Sequence, residues 1–578
     1  MMKNVVYPPL LLLLVAVRAW GQSPFVPLNA DYYHLVDRLE IRQGRWAEGF
    51  HSSTKPYNRQ SIVRLTDSVL TNPRYQLSET DRFNLGYLRD DSWEWVNYLP
   101  DTVLQDPISR FRPTQLAPGD NPKPLWNVLF KKRADLYFVQ TPEFDLHISP
   151  AVNVGFAADP SATGPEYVNT RGLELRGSIM KRLGFYTYFA DNQAFYPRYI
   201  QEYGALYSSP QTGGGFAPGE GLTKLYKGRG ADFLSARGYV TFNALKIINI
   251  QFGHDRNFFG NGIRSLFLSD NSAAYSFLKF TTRFGRFQYT NLFTELQNVA
   301  DITFGNALIP QKFMTVHHLS ANIGKHVNVG VFEGEVFSRD RFEVSYLNPI
   351  ILYRYIESYR GSADNAVLGI DVKANFLRHF LFYGQIMLDE FLIKDLTAGK
   401  GSWTNKFAVQ AGLKYIDALG IKNLDLQGEF NLARPFTYAH RSGQTNYTHY
   451  NQPLAHPLGG NFVEGIGTVR YQYKRLTVNG IFSAMLYGTD PPNFNYGGNL
   501  TKDYESRFRD LGNFIGQGRK TITSYGDARV SYMIWHNVFL EGRYLYRLQS
   551  SQYRPSEFTT NLASIALRWN VAHRNWIF

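Results

Sequence analysis

Two stretches of the sequence combine arginine, asparagine and carboxylate side chains with aromatic ones, and this combination is suited to binding. They run from residue 253 to 271 and from residue 339 to 357. Guanidinium and amide groups donate several hydrogen bonds in a fixed plane, which suits sugar hydroxyls and acidic groups, and aromatic rings offer flat apolar faces. We therefore predict a ligand-binding surface built from Asp255, Arg256, Asn257, Arg264, Asp270, Asn271, Glu343, Asn348, Arg354 and Glu357.

Signatures of catalysis and of metal binding are absent from the sequence. It contains no nucleophile elbow, no HExxH zinc motif, no P-loop and no cysteine. His317 and His318 are neighbours on a predicted strand, so their side chains point to opposite faces and cannot hold one metal ion together. We therefore predict no catalytic residues, no metal and no cofactor, and a protein that is not an enzyme.

The elements that must position these residues are β-strands, because apolar and polar side chains alternate from about residue 136 to about residue 570. Leu426 and Phe430, for example, alternate with Gln427 and Glu429. Most such segments are roughly 10–13 residues long, as a tilted strand needs to cross a bilayer, whereas strands of water-soluble proteins usually have about five or six. We predict that Leu426 and Phe430 face lipid and that Gln427 and Glu429 face the lumen of a barrel.

Counting by alternation gives eighteen strands, the first near residues 145–157 and the last near 558–570. An even number is typical of single-chain bacterial barrels, and so is the observed alternation of tight turns with long excursions. The predicted fold is an all-β transmembrane barrel of about 18 antiparallel strands, preceded by a small, mainly helical periplasmic domain.

The first 21 residues have the features of a secretory signal peptide. Lys3 precedes an apolar stretch, and Ala19-Trp20-Gly21 offers a small-x-small cleavage site. Without Lys3 and Arg18 the mature chain keeps 59 of the 61 basic residues against 48 acidic ones, a net charge of +11. Because no helix-turn-helix, zinc-finger or RNA-binding signature accompanies this charge, we predict no nucleic-acid partner.

The segment after the signal peptide has helical rather than alternating patterns, at residues 29–43, 58–70 and 78–95. Ser78, followed three residues later by Asp81, marks a helix start. We therefore divide the chain into a signal peptide (1–21), a periplasmic helical domain (22–133) and an outer-membrane barrel with inward-folded loops (134–578).

Residues 257–271 and 342–357 are too apolar for freely solvated loops. Each buried leucine or phenylalanine side chain gains about 1.5–3 kcal/mol, and an arginine carried inward beside them needs a carboxylate. We predict that the two segments pack against each other in the lumen and plug it. The expected partners of Arg264 and Arg354 are Asp270, Glu343 and Glu357.

The sequence ends on Phe578, with Trp576 two residues before it. A barrel closes only if its final strand pairs with its first and leaves no open edge in lipid. We predict that both aromatic residues lie on the last strand or its extension and guide insertion.

Several motifs resemble those of a known group of outer-membrane proteins. They are Pro27-Leu28-Asn29-Ala30, Asp37-Arg38-Leu39-Glu40-Ile41, HSSTKPYNR at residues 51–59, Phe259-Gly260-Asn261-Gly262, residues 264–270 and Tyr346-Leu347-Asn348-Pro349. The chain resembles the RemB-type gliding-motility proteins of Bacteroidota and, more widely, the Wzi-type capsule-assembly barrels. The resemblance implies a periplasmic helical bundle and a barrel of about eighteen strands. It also implies either the holding of surface polysaccharide, as in Wzi-type relatives, or a part in cell-surface motility.

The leading hypothesis is a non-enzymatic barrel of the cell outer membrane that binds or organises surface exopolysaccharide or capsule and supports gliding motility. The expected partners are outer-membrane lipid, surface polysaccharide and proteins of a motility or secretion machinery, with the long loops at the cell surface. One alternative is a diffusion channel or transporter, since eighteen strands can enclose an aqueous lumen. Another is a lipid or glycan hydrolase of the outer membrane, which would need a nucleophile and a base.

Overall fold

The computed structural model describes residues 23–72, 75–96, 119–162, 164–208, 215–299, 309–339, 343–350, 352–360, 364–389, 394 and 399–578. The predicted signal peptide, residues 1–21, lies outside these described residues.

Within these described ranges, eighteen long strands form one closed antiparallel barrel. The last strand pairs with the first, with Ala563 opposite Ala158, so the sheet has no open edge. The predicted eighteen-stranded barrel is confirmed. The strands are β1 (Phe144–Ala158), β2 (Glu166–Ile179), β3 (Leu183–Phe195), β4 (Gly230–Leu245), β5 (Ile248–Asp255), β6 (Tyr275–Phe284), β7 (Phe287–Gln297), β8 (Gln311–Ile323), β9 (Val327–Phe337), β10 (Asn365–Phe376), β11 (Phe380–Asp389), β12 (Phe407–Tyr415), β13 (Leu424–Ala433), β14 (Phe462–Tyr473), β15 (Leu476–Thr489), β16 (Arg519–Trp535), β17 (Val538–Ser551) and β18 (Phe558–Trp569).

One end of the barrel, the turn end, has short connections, and the other, the loop end, has long ones. At the turn end, residues 180–182 join β2 to β3, and Lys474 and Arg475 join β14 to β15. Met180 and Lys181 have φ angles of 52° and 53°, the left-handed pair that tight hairpins use to match the strand twist. The longest loop-end connections are residues 196–229, 256–274, 338–364, 434–461 and 490–518.

On β13, polar side chains point into the lumen and apolar ones point outward, as predicted. The Glu429 carboxylate accepts hydrogen bonds from the backbone N–H groups of Ile263 and Arg264 in the lumen, at 2.6 and 3.0 Å. The Phe430 ring is 44% exposed on the outer face. Other exposed apolar side chains continue this outer belt, as in barrels that cross a bilayer. They include Phe156, Phe189, Phe252, Ile386, Phe482 and Ile565.

In the described part of the chain before the barrel, the structure has three α-helices: α1 (Tyr33–Gln43), α2 (Arg59–Leu70) and α3 (Glu79–Asp91). They confirm the three helical patterns read from the sequence. Ser78 caps α3, because its hydroxyl accepts the N–H of Asp81 while the Asp81 carboxylate accepts the N–H of Ser78. The helices share a buried apolar core that includes Val36, Leu39, Ile62, Leu65, Leu85 and Leu88.

The helices close the turn end of the barrel. The Arg38 guanidinium binds the carboxylate of Asp81 in α3 and those of Asp417 and Asp425 at the turn between β12 and β13. The amides of Asn84 and Gln472 exchange two hydrogen bonds, at 3.1 and 2.8 Å. These buried polar contacts join the helices to the barrel rim. No helix among the described residues is long and apolar enough to span a membrane.

The end of the chain does not continue the sheet. After β18, residues 570–578, the tail, enter the lumen, where the Phe578 ring is 4% exposed and stacks on Tyr203 of α4 (Arg198–Tyr207) at 3.6 Å between centroids. Trp576 packs edge-on against Tyr196. The prediction that Phe578 and Trp576 extend the last strand is wrong, because the connection between β3 and β4 offers both rings a buried aromatic pocket inside the barrel.

Candidate functional site

Residues 256–274, the plug loop, cross the lumen between β5 and β6. Residues 258–259 pair as a short strand with residues 54–55 of the N-terminal region. Leu266, Phe267 and Leu268 are fully buried, and the Phe267 ring stacks on Phe332 of β9 at 4.6 Å between centroids. An apolar core therefore occupies this part of the lumen, where an open channel would hold water.

Arg264 of the plug loop is held by the barrel wall. Its Nε and Nη2 donate to the two carboxylate oxygens of Glu464 on β14, at 3.1 and 2.7 Å. Glu464 also accepts from His456 Nε2 at 2.6 Å. The predicted pairing of Arg264 with Asp270 is wrong, because Glu464 faces Arg264 across the lumen while Asp270 accepts from the Asn29 amide.

Four of the predicted ligand residues meet at one internal cavity. Arg256, Arg264, Asp270 and Asn271 line it, and its volume is about 110 Å³. Arg256 Nη1 donates to the Asp270 carbonyl at 3.1 Å, while Arg256 Nε has no hydrogen-bond partner among the described residues. The structure thus brings together side chains from both ends of the plug loop.

Asp255 and Asn257, also predicted as ligand residues, lie beside the cavity and bind the protein itself. The Asp255 carboxylate accepts the backbone N–H of Arg256 at 2.8 Å, and Asn257 Oδ1 accepts from Lys279 Nζ at 2.9 Å. Their contacts hold the first turn of the plug loop against the wall.

One acidic group in the cavity wall, Glu220, and one next to it, Asp31, are paired with arginines. The Glu220 carboxylate accepts a hydrogen bond from Arg574 of the tail at 2.9 Å. Burial by itself would raise the pKa of Glu220, but the positive charges of Arg574 and Arg256 hold this pKa below its usual range. The Asp31 carboxylate accepts two hydrogen bonds from the Arg568 guanidinium, at 2.8 and 2.9 Å. Burial again opposes its ionisation, but Arg568 and His573 keep the pKa of Asp31 well below its usual range. Glu220, in the cavity wall, and Asp31, next to it, are therefore both neutralised by arginines of the protein itself.

The walls of this cavity also limit what can reach it. Gly219 and Pro457, from two loop-end connections, line it together with Asn29 of the N-terminal region. A space of about 110 Å³ holds several water molecules but not a polysaccharide. This cavity is therefore too small to be the binding site of a long glycan.

The other four predicted ligand residues, Glu343, Asn348, Arg354 and Glu357, do not lie in the lumen. They belong to residues 343–350 and 352–360, together called the strap, which includes α5 (Tyr353–Arg360) and covers the outer face of the barrel wall. The Tyr353 ring stacks on His317 of β8 at 4.0 Å, and the Tyr346 ring on Phe337 of β9 at 4.3 Å. Both wall residues point outward.

The prediction that residues 257–271 and 342–357 pack against each other in the lumen is therefore wrong. The lumen beside β8 and β9 is already filled by the plug loop, whereas the outer face of these strands offers aromatic and polar partners. Asn348 Oδ1 accepts the N–H of Ile350 at 3.0 Å, so this residue shapes the strap itself.

Residues that the sequence analysis missed lie at the loop end. An outer cap is formed by residues 399–406, 434–461 and 490–518, which fold together. In it the backbone N–H of Trp403 donates to the Asp510 carbonyl at 2.9 Å. The Asp490 carboxylate accepts the backbone N–H groups of Tyr496, Gly498 and Asn499 at 2.9–3.3 Å. Loops tied in this way present their side chains in fixed positions.

Aromatic faces and a guanidinium lie side by side on the outer cap. Phe494, Tyr496 and Phe508 form a cluster with centroids 5.0–6.2 Å apart, and the Phe508 ring is 52% exposed. The Arg507 guanidinium lies 4.2 Å from the centre of the Trp403 ring. The sequence feature that could have predicted this surface is the high density of aromatic, asparagine, aspartate and glycine residues in the long loop after β15.

Comparisons with known proteins identify the fold. No family model and no curated protein matches the chain. The solved structure of Wzi from Escherichia coli, an outer membrane protein involved in group 1 capsule assembly and a carbohydrate-binding β-barrel, matches 95% of this chain and 100% of its own, with a TM-score of 0.56 and 12% identity. OccK8 (OprE) and OprD of Pseudomonas aeruginosa match 73% of this chain and 97% and 94% of their own, with TM-scores of 0.40 and 8% identity. The chain therefore has a barrel fold similar to that of Wzi.

Proposed function

We propose that the protein is a non-enzymatic barrel of the bacterial outer membrane that binds surface polysaccharide on its outer cap. The observation that carries this proposal is the exposed cluster of Phe494, Tyr496 and Phe508 on the outer cap. Aromatic faces can pack against the C–H faces of sugar rings. Because the cap is tied before a ligand arrives, little conformational entropy is lost on binding.

The similarity to Wzi supports a polysaccharide or capsule ligand, because Wzi is itself a carbohydrate-binding barrel. We place the turn end with helices α1, α2 and α3 in the periplasm and the outer cap at the cell surface, since short turns face the periplasm in bacterial barrels. The outer apolar belt then contacts membrane lipid. The resemblance to RemB-type proteins further leads us to propose a role in gliding motility in Bacteroidota, through proteins of a motility or secretion machinery.

The proposed glycan surface can be tested by replacing Phe494 and Phe508 together with alanine. If each ring contributes about 0.5–1.5 kcal/mol, the double variant should bind surface polysaccharide about 5- to 150-fold more weakly. The measurement is the affinity of the purified protein for exopolysaccharide of the source strain, with retention of that polysaccharide by cells as a second readout. Phe482→Ala, on the outer wall, is the matched control and should bind normally. Normal binding by the double variant would remove the outer cap as the site.

The alternative function, a diffusion channel, predicts a different conductance in planar bilayers. The plug loop, the tail and the N-terminal region occupy the lumen, so we expect the unmodified protein to show no steady conductance in planar bilayers. A large, stable open pore would favour a diffusion channel or transporter instead. Turnover of outer-membrane lipid or glycan by the purified protein would revive the hydrolase alternative.

A further inference from the structure

Towards the loop end, strands β8 and β9 have an inverted pattern of side chains, and we call these two strands and the adjoining β7 the inverted sector. Met314 of β8 and Phe332 of β9 point inward and join the apolar core around the plug loop. Because side chains alternate along a strand, Glu333 and Glu335 of β9 point outward, opposite His317 and Thr315 of β8. Polar groups thus lie on the face that is apolar elsewhere in the barrel.

The neighbouring strand shows that this polar patch interrupts the outer apolar belt. Leu368 and Ile370 of β10 also point outward, and Leu368 pairs directly with Glu333. The Ile370 side chain is 55% exposed, whereas Glu333, Glu335 and His317 are buried. A further segment of the protein must therefore cover the outer face of the inverted sector, and this segment does not extend over β10.

The strap is this cover. Tyr353 and Tyr346 stack on His317 and Phe337, as described above, and Ile356 joins the same buried cluster. The Pro349 carbonyl accepts hydrogen bonds from the Tyr289 hydroxyl and, at 3.5 Å, from the Asn291 amide, both outward residues of β7. The strap is therefore attached to all three strands of the inverted sector.

The strap extends far down the wall from the loop end. Tyr289, which binds the Pro349 carbonyl, is the third residue of β7 from the turn end. Along this length the strap passes the level of Leu368 and Ile370, which belong to the outer apolar belt. Among the strap side chains that the structure describes, large apolar and aromatic ones are exposed: Ile350 is 85% exposed, Tyr359 is 83% exposed, and Leu352 and Tyr355 are also exposed.

We propose that the strap lies inside the membrane beside the barrel and that its outer face contacts the acyl chains of lipid. This inference rests on the outer-membrane location proposed above. Its outer face continues the apolar belt across a sector whose wall is polar. Irregular backbone is tolerated at membrane depth only where its polar groups are satisfied, and the Pro349 carbonyl and the Ile350 N–H are both hydrogen-bonded.

The absence of cysteine from the chain makes a direct test possible. Ile350→Cys and Leu352→Cys variants are labelled with a fluorophore and reconstituted in phosphatidylcholine vesicles. We expect the fluorescence of both strap labels to be quenched by lipids that carry bromine on their acyl chains. Iodide dissolved in the water should quench these labels much less than it quenches the water-facing control. Ile386→Cys, on the outer belt of β11, is the lipid-facing control, and Leu511→Cys, on the outer cap, is the water-facing control. Heat-modifiable migration of each variant verifies that the barrel is folded.

The controls separate failure of this inference from failure of the proposed location. Iodide quenching at both strap positions, with lipid quenching at Ile386→Cys, would overturn the strap proposal and leave the membrane barrel intact. Protection of the strap labels from both quenchers would also overturn it, because it would show a protein neighbour such as a second copy. Loss of lipid quenching at Ile386→Cys as well would instead defeat the membrane location. Polysaccharide binding by the outer cap should be unchanged in the Ile350→Cys, Leu352→Cys and Ile386→Cys variants.

Discussion

Replacing Glu464 with alanine is expected to lower the free energy of unfolding by about 3–5 kcal/mol, because it leaves the buried guanidinium of Arg264 without its carboxylate. Glu464 accepts two hydrogen bonds from Arg264 and one from His456. It therefore ties the plug loop and the connection between β13 and β14 to the barrel wall. The measurement is the midpoint of denaturant unfolding in detergent, followed by tryptophan fluorescence and by protease cleavage of the plug loop.

Two controls decide whether the charge or the lost volume is responsible. The double variant Arg264→Met with Glu464→Leu replaces the pair by apolar groups, and it should recover much of the loss because no unpaired charge remains. Glu505→Ala removes a carboxylate from the exposed pair with Arg507 and should cost less than about 1 kcal/mol. Equal effects of Glu464→Ala and Glu505→Ala would show that the plug loop does not depend on this buried pair.

The barrel wall was predictable from the sequence because each strand contacts two different environments. On β13, Gln427 and Glu429 bind partners in the lumen while Phe430 is exposed outside. A period of two records this difference directly in the order of residues. The helices were predictable for a related reason, since the cap formed by Ser78 and Asp81 is a local contact.

Alternation shows that the two faces of a strand differ, but not which face points inward. In most of the barrel the apolar face is outside. In the inverted sector the plug loop makes the lumen side apolar, so Phe332 points inward and Glu333 outward. His317 and His318 do point to opposite faces, as predicted: His318 binds Asp371 in the lumen at 2.8 Å, and His317 lies under Tyr353.

The candidate site was harder to predict because its contacts join distant parts of the chain. Arg264 and Glu464 are 200 positions apart, so no spacing rule connects them. The burial of the plug loop follows from its apolar residues, but the same argument places residues 342–357 in the wrong compartment. Apolar composition predicts that a segment is covered, and only the tertiary structure shows whether protein or lipid covers it.

The outer belt of the barrel can be tested on β13, where Phe430→Arg should impair assembly strongly. An arginine that faces lipid near the bilayer midplane costs about 2–4 kcal/mol, and the cost falls to about 0–1 kcal/mol near the interfaces. Leu426 faces outward on the same strand but lies closer to the turn end. Leu426→Arg should therefore be less harmful than Phe430→Arg, and the measurement is the amount of heat-modifiable barrel recovered from the outer membrane.

An inward substitution on the same strand completes this test. Gln427 points into the lumen and donates to the Tyr383 hydroxyl at 2.7 Å, so Gln427→Arg places its charge among polar groups rather than in lipid. We expect Gln427→Arg to assemble better than either outward variant, while Phe430→Ala should assemble almost normally because lipid fills the space left by the ring. If Gln427→Arg were the most harmful of the three arginine variants, the outer face of β13 would not contact lipid. The outer belt and the membrane position of the strap would then both lose their physical basis.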